Sequence, residues 1–529
     1  MNQPTKTCVL ALDQGTTSSR AILFDKAGRL IAKAQQEFPQ HVRSFLHAGV
    51  AADGSGEDRG IVEHDPEDIW QSQIDCARRV LTESGIDARQ VAAVGITNQR
   101  ETTILWERAT GQPVAPAIVW QSRISTPICT RLKASGLESE VRRRTGLLLD
   151  PYFSASKIVY LLETIPGLRQ RCLSGEILFG TVDSFLIWRL TGGRVHATDP
   201  TNACRTLLFD IEQMGWSDAL CDIFDVPRAL LPEVRPSSGS FGEVDPRWFG
   251  VAIPIAGCAG DQQAAAFAQG CTQAGKAKNT YGTGAFLLFS TGAQPVTSSN
   301  GLLTTLGCAV GTEPAAVGKS SAASCEPHYA LEGSVFIGGA IVGWLRDGLG
   351  MIEQAGDIEA LAASVDSSGG VVLVPALTGL GAPYWDPFAR GLIIGISRAT
   401  TQSHIARAAL ESIALSVADV ALCMQQDAGM GLQRLRVDGG ACVNNLLLQM
   451  QADVLGLPVE RPVVLETTAL GAALLAGIAV GFFSGSAAVD EARQLERVFE
   501  PAIGETSRRK LMQTWHTAIE RCKDWARPF

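Results

Sequence analysis

With 529 residues the chain exceeds what one hydrophobic core usually fills, about 250–300 residues, so two large domains are expected. A hydrophobic fraction of 46%, a charged fraction of 19% and a net charge of −9 exclude a largely disordered chain and argue against nucleic acid as a partner. The thirteen cysteines are odd in number, scattered and never in Cys-x-x-Cys, and the seven histidines form no zinc-ligand pattern, so free thiols in a reducing cytoplasm are expected and a transition-metal site is not.

In chain order, the apolar run at residues 8–12 is cut by Asp13 too early for a signal-peptide core. Strands are predicted at 9–12, 21–24 and 91–97, with a helix over 66–81 opened by Asp65 as N-cap and Pro66 in its first turn. Strands at 253–257, 286–289, 371–375 and 435–437 follow, with helices at 404–425 and 444–455 and loops at 49–60 and 307–327. The longest uncharged apolar stretch, 469–483, falls short of the ~20 residues a bilayer span requires. It reads as a buried, closely packed helix whose Gly and Ala residues allow close approach to another element, and a sliding contact and a static core helix fit it equally well. The alternation is that of α/β domains.

The two halves echo each other. Near the start an apolar strand runs into Asp13-Gln14-Gly15-Thr16-Thr17-Ser18-Ser19 and a second strand; past the midpoint Asn279-Thr280-Tyr281 runs into Gly282-Thr283-Gly284 and a second strand. Two similar lobes, residues 1–257 and 258–529, are the natural reading. The first hairpin offers backbone amides and the hydroxyls of Thr16, Thr17 and Ser18 to a phosphate, with Gly15 keeping the approach clear and Asp13 able to hold Mg²⁺ through water. A plain polar turn fits the same residues equally well. The second hairpin, with Thr283, could grip polyphosphate from the other lobe, and Asp438-Gly439-Gly440 before Asn444 could receive adenine or ribose. Gly318-Lys319-Ser320 looks like the end of a P-loop, but Glu313 stands where its first glycine belongs, and it reads as loop.

A second set concerns an acceptor. Arg100-Glu101 follows the strand at 91–97, where α/β sheets keep their ligand sites; an Arg donates to hydroxyl oxygens and a Glu accepts from hydroxyl protons, which suits a diol, though a surface ion pair fits the two residues as well. Trp120 and Tyr152 could wall a carbon skeleton. In Gly257-Cys258-Ala259-Gly260-Asp261-Gln262-Gln263 a strand ends in small residues and an acid before an alanine-rich helix, so Asp261 can take a proton from an attacking alcohol or simply cap the helix.

The stretches Ala11-Leu12-Asp13-Gln14-Gly15-Thr16-Thr17-Ser18-Ser19-Arg20, Gly95-Ile96-Thr97-Asn98-Gln99-Arg100-Glu101-Thr102-Thr103, Asp150-Pro151-Tyr152-Phe153-Ser154, Ala259-Gly260-Asp261-Gln262-Gln263-Ala264-Ala265 and Gly379-Leu380-Gly381-Ala382-Pro383-Tyr384-Trp385-Asp386-Pro387 resemble, in order, the FGGY carbohydrate kinases. The resemblance implies an α/β fold of two actin-like ATPase (ribonuclease H-like) domains with the active site in the cleft between them. It places acceptor binding and the first phosphate hairpin in the N-terminal domain, and the second hairpin and adenosine site in the C-terminal one. Arg100-Glu101 with Trp120 and Tyr152 resembles the branch that phosphorylates glycerol to sn-glycerol 3-phosphate; the alternative is a family member acting on another small polyol or ketose. By matching motifs, Arg100, Glu101, Tyr152, Asp261 and Gln262 would hold glycerol hydroxyls, Trp120 and Phe286 would flank its carbons, and Asp261 would be the base. Thr16, Thr17, Ser18, Arg20, Thr283, Gly339, Gly440 and Asn444 would contact ATP, and Asp13 would serve Mg²⁺. A cytoplasmic homodimer or homotetramer is implied, with no nucleic acid and no membrane span. Gly343 departs from the Gln common in bacterial relatives, and residues 245–252 show neither the Gly-rich Arg-bearing loop nor the histidine that serve regulation in some of them.

Overall fold

The computed structural model describes residues 5–43, 60–311, 325–485 and 487–527. Residues 49–59 and 312–324 of the two predicted loops, with Gly318-Lys319-Ser320, lie outside the described residues. Two compact units form: Met1–Gly270 with Thr304–Tyr329 and Thr467–Arg493, and Cys271–Leu303 with Ala330–Glu466 and Gln494–Phe529. A cut between 257 and 258 therefore runs through a strand, Ile255–Gly260, that lies whole in the first unit.

In the first unit β1 (Cys8–Gln14) and β2 (Ser18–Phe24) form the expected hairpin, and β3 (Leu30–Glu37) extends it. β4 (Val91–Asn98) and β5 (Ile255–Gly260) join β1 in parallel, giving the order β5-β4-β1-β2-β3. β1 and β4 are buried at every position, which is why they read as unbroken apolar runs. β5 begins and ends later than predicted, because parallel pairing with β4 carries Cys258, Ala259 and Gly260 into the sheet. Helix Pro66–Ser84 starts as expected, with the Asp65 carboxylate accepting from the Glu67 amide, and packs on β2 and β3.

Helix Thr467–Ala479 packs on β1, β4, β5 and helix Asp261–Ala268. Its small residues are used inside this unit. A Cβ on Gly95 would stand 2.1 Å from the Ala472 carbonyl oxygen, and one on Gly471 would stand 2.0 Å from that of Ala264. Among the described residues no helix is long and apolar enough to cross a membrane.

The second unit repeats the pattern. β6 (Ala277–Tyr281) and β7 (Ala285–Gly292) form a hairpin, β8 (Leu435–Asp438) runs parallel to β6, and β9 (Val459–Pro462) runs parallel to β8. With β10 (Leu495–Phe499) antiparallel at the edge, they lie in the order β7-β6-β8-β9-β10 within a seven-stranded sheet. The echo in the sequence is thus a repeated topology: a hairpin with parallel strands added beside its first strand.

A buried carboxylate ties the last helix of this unit to its longest one. Asp419, on helix Gln402–Ala428, accepts from Tyr384 Oη and Trp515 Nε1 and faces His516 Nε2, each at 2.6 Å. The hydrogen bond to Asp419 raises the His516 pKa above its ordinary value. A folded-state pKa above the unfolded one adds stability that is full below ~6.5 and is lost as pH rises through the folded value. His516 is half exposed, so the effect is small. Scanning calorimetry should show the unfolding temperature falling by about 1–2 °C between pH ~6 and ~8 through this group. That component should vanish in His516→Gln; an unchanged pH slope would contradict the pairing.

Candidate active site

Parallel pairing of β1, β4 and β5 sets Asp13, Thr97 and Ala259 in register, so the C-terminal ends of the three strands deliver Asp13, Arg100-Glu101 and Asp261 to one edge of the first unit's sheet. Arg100 is buried and its Nε lies 3.2 Å from Asp261 Oδ1, while its Nη1 donates to Gln263 Oε1 at 3.2 Å. Gly260 is needed here: a Cβ would stand 2.7 Å from Arg100 Cδ, so only glycine lets the arginine lie across the strand end. Asp261 is the first residue of helix Asp261–Ala268 rather than its cap, which is Gly260, and Asp261 Oδ1 accepts from the Gln262 amide at 2.7 Å. Its side chain is about one-third exposed (31%) while the arginine holding it is 3% exposed, which leaves the carboxylate reachable.

Trp120 and Tyr152 meet edge to face with ring centres 5.6 Å apart, and Trp120 Nε1 donates to Thr16 Oγ1 at 3.0 Å. That bond links the predicted acceptor residues to the first phosphate hairpin. In the hairpin the Gly15 amide donates to the Ser18 carbonyl, Thr17 is exposed, and Ser18 Oγ accepts from Gln35 Nε2 at 3.3 Å. Antiparallel register sets Arg20 opposite Asp13, with Nη1 to Oδ2 at 3.2 Å. Gln262 is buried beside Asp261.

The remaining predicted residues lie in the second unit. The tip Gly282-Thr283 of its hairpin takes the amides of Gly338 (to the Thr283 carbonyl, 2.8 Å), Gly339 (to Gly282, 2.9 Å) and Ala340 (to Thr283, 3.0 Å), which places Gly339 against Thr283. Phe286 follows on β7 and is partly buried. Gly439, at φ +90°, passes so close to Tyr281 that a Cβ would meet its carbonyl oxygen at 2.4 Å, while Gly440 beside it is exposed with open space around it. Asn444 caps helix Asn445–Leu455, its Oδ1 accepting from the Leu447 amide at 2.8 Å. Arg461 braces the turn before it, donating to the Cys442 carbonyl at 2.8 Å.

Several buried polar groups around the acceptor residues went unseen in the sequence. Arg205 Nε donates to Glu101 Oε1 at 2.6 Å. Lys157, wholly buried, donates to the Tyr152 carbonyl at 2.6 Å and the Glu101 carbonyl at 3.4 Å, and burial pulls its pKa down to about 7. Asp199 accepts from Ser237 Oγ (2.6 Å), Thr201 Oγ1 (2.8 Å) and the Asn202 amide (3.0 Å), and burial pushes its carboxyl up to about 6. Thr201 Oγ1 in turn accepts from the Gly260 amide at 2.8 Å, just before Asp261. No spacing rule links residues so far apart in sequence.

The chain matches the FGGY family of carbohydrate kinases, N-terminal domain, over residues 8–268 and its C-terminal domain over residues 277–480. The chain belongs to the FGGY family of carbohydrate kinases. It is 54% identical over 518 residues to a glycerol kinase of Dechloromonas aromatica, covering 98% of each chain, and 52% identical over 518 residues to glycerol kinase 2 of Thermotoga maritima, covering 98% of this chain and 99% of that one. The crystal structure of Plasmodium falciparum glycerol kinase with ADP superimposes with a TM-score of 0.85 at 32% identity over 98% of both chains. The fold is accordingly the two-domain α/β arrangement of FGGY kinases, of the actin-like ATPase type.

Proposed function

We infer that this chain phosphorylates glycerol with ATP, giving sn-glycerol 3-phosphate. The observation that carries the reading is the Arg100–Asp261 pair at 3.2 Å on adjacent strand ends, beside Glu101, in a chain that matches glycerol kinases along nearly its whole length. In the proposed reaction a glycerol hydroxyl gives its proton to an Asp261 oxygen as its oxygen bonds the γ-phosphorus and the bond from that phosphorus to ADP breaks. Arg100 holds the Asp261 carboxylate in place and, with Glu101, Tyr152 and Gln262, receives the hydroxyls; Trp120 and Phe286 pack the carbons. Thr16, Thr17, Ser18 and Arg20 in the first unit, and Thr283, Gly339, Gly440 and Asn444 in the second, are assigned to the nucleotide.

Magnesium fits Asp13, which is buried at the end of β1, offers a single carboxylate and is engaged by Arg20 at 3.2 Å, a residue assigned to the nucleotide; Mg²⁺ usually takes one or two carboxylates and keeps its waters. When bound it would neutralise phosphate charge. The buried trio Asp183, Asp199 and Cys258 is a poorer seat, since Thr181, Thr198, Thr201 and Ser237 hydroxyls already donate to its carboxylates. A cytoplasmic location and a homodimer or homotetramer belong to the same reading, the assembly being measurable by sedimentation.

Turnover on glycerol, erythritol, xylulose and gluconate at equal concentration tests the substrate, with glycerol expected to lead; preference for a ketose or a longer polyol would overturn it. Within the site, Arg100→Ala should raise the KM for glycerol by roughly 10- to 100-fold, the worth of a charged hydrogen bond, and leave that for ATP nearly unchanged. A rise confined to ATP would mean the two sets of residues have been exchanged.

A further inference from the structure

Glu101 is an unusual residue to find at φ +59°, where a side-chain-bearing residue costs about 1–2 kcal/mol. Its conformation is held from both sides. The carbonyl accepts from Ser154 Oγ at 3.0 Å, Thr103 Oγ1 at 3.1 Å and Lys157 Nζ at 3.4 Å. The carboxylate accepts from Arg205 Nε at 2.6 Å, and the two side chains of this pair are 1% and 0% exposed. The guanidinium also lies over the rings of Tyr152, 5.7 Å from its centre, and Phe153, at 5.3 Å.

Arg205 itself is placed by a chain of bonds to the same strand end. Its amide donates to the Asn202 carbonyl at 3.0 Å. The Asn202 and Asn98 side chains exchange hydrogen bonds at 3.0 and 3.2 Å, and Asn98 ends β4 just before Gln99-Arg100-Glu101. A fully buried ion pair contributes little net stability, because desolvation offsets most of the attraction. What it does supply is direction: one carboxylate oxygen is turned to Arg205, and the ring of Tyr152 is set against the same guanidinium.

We propose that Arg205 is a positioning residue for polyol recognition, acting through Glu101 and Tyr152 to set the hydroxyl-accepting face of the site. The proposal rests on the reading of Glu101 as a glycerol ligand. A lysine would keep the charge but lose the planar contact with Tyr152 and the fixed direction of the Nε–H bond.

Steady-state kinetics and calorimetric glycerol binding on purified Arg205→Lys, Arg205→Met, Glu101→Gln and the double variant Arg205→Met/Glu101→Gln test it. Arg205→Lys should fold normally and raise both the KM and the Kd for glycerol by about 10-fold, with the KM for ATP within about 2-fold of the parent. The double variant should lose clearly less than the sum of the two single losses, because with Glu101 changed Arg205 acts only through Tyr152. A folded Arg205→Lys with unchanged glycerol KM, equal rises in both KM values, or fully additive losses in the double variant would overturn the inference while leaving the site intact. If Glu101→Gln alone leaves glycerol binding untouched, the reading of the site falls and this inference with it.

Discussion

Asp261→Asn is expected to slow phosphoryl transfer by ~10²–10⁴, the usual contribution of a positioned general base. Asparagine matches aspartate in size, and its amide oxygen can still accept from the Gln262 amide as Asp261 Oδ1 does now at 2.7 Å. The lost elements are an oxygen able to take the hydroxyl proton and the negative charge that faces Arg100. Arg100 would keep its bond to Gln263, so the strand end should not collapse. The unfolding temperature should therefore fall by no more than about 5 °C, since buried Arg100 loses the charge it faces but keeps its hydrogen bond to Gln263. Equilibrium binding of ATP should be retained, because the partners of the Asp261 carboxylate are Arg100 and Gln262, both assigned to glycerol. A variant that turns over near the parent kcat would remove Asp261 from the chemistry, and one that unfolds at low temperature would assign it to structure instead.

The second large effect is on stability. Gly95→Ala would drive a methyl to within 2.1 Å of the Ala472 carbonyl oxygen and 2.5 Å of its carbonyl carbon. Both are backbone atoms of a buried helix, so neither can swing aside as a side-chain end would. Overpacking usually costs 1–3 kcal/mol through side-chain and backbone shifts; against rigid backbone on both sides about 3 kcal/mol or more is expected. Gly471→Leu should behave alike on the other face of the same helix, where its Cβ would sit 2.0 Å from the Ala264 carbonyl oxygen. Gly343→Ala is the control: it lies within helix Ala340–Asp347 with nothing within 4 Å of a new Cβ. That change should be neutral or stabilise by up to about 1 kcal/mol. Chemical denaturation of the three variants reads these values; a Gly95→Ala protein as stable as the parent would mean the helix can retreat from the sheet.

The residues of the candidate site are marked in the sequence by local features that survive in one dimension. Asp13, Arg100-Glu101 and Asp261 stand out because each follows an apolar run, and a strand end is a place where a ligand-binding residue can be exposed without breaking the sheet. The hairpin glycines and threonines stand out for the same reason. Helix 66–84 was announced by Asp65 and Pro66, whose effects act over a few bonds. Strand and helix periodicity was therefore sufficient for the α/β class, the repeated hairpins and the order of the motifs. The division of the chain was not available in this way, because the first unit recruits residues 304–329 and 467–493 from far along the chain.

What only the tertiary structure decided is which polar groups stand behind those motifs. Arg205 lies 104 residues from Glu101, and Asn202 is as far from Asn98, yet each pair is in hydrogen-bond contact. No motif in the sequence singles out Lys157 or Asp199, and both are wholly buried. Helix 467–479 reads as a buried helix of small residues with no partner named; its partner strands and the glycines they require at 95 and 257 lie more than 200 residues earlier in the chain. Propensity, capping and turn chemistry act between near neighbours, so the sequence by itself determines them. A buried charge is tolerated only where a partner arrives through chain topology, and topology is settled by which apolar faces can be covered together, a condition no local pattern records.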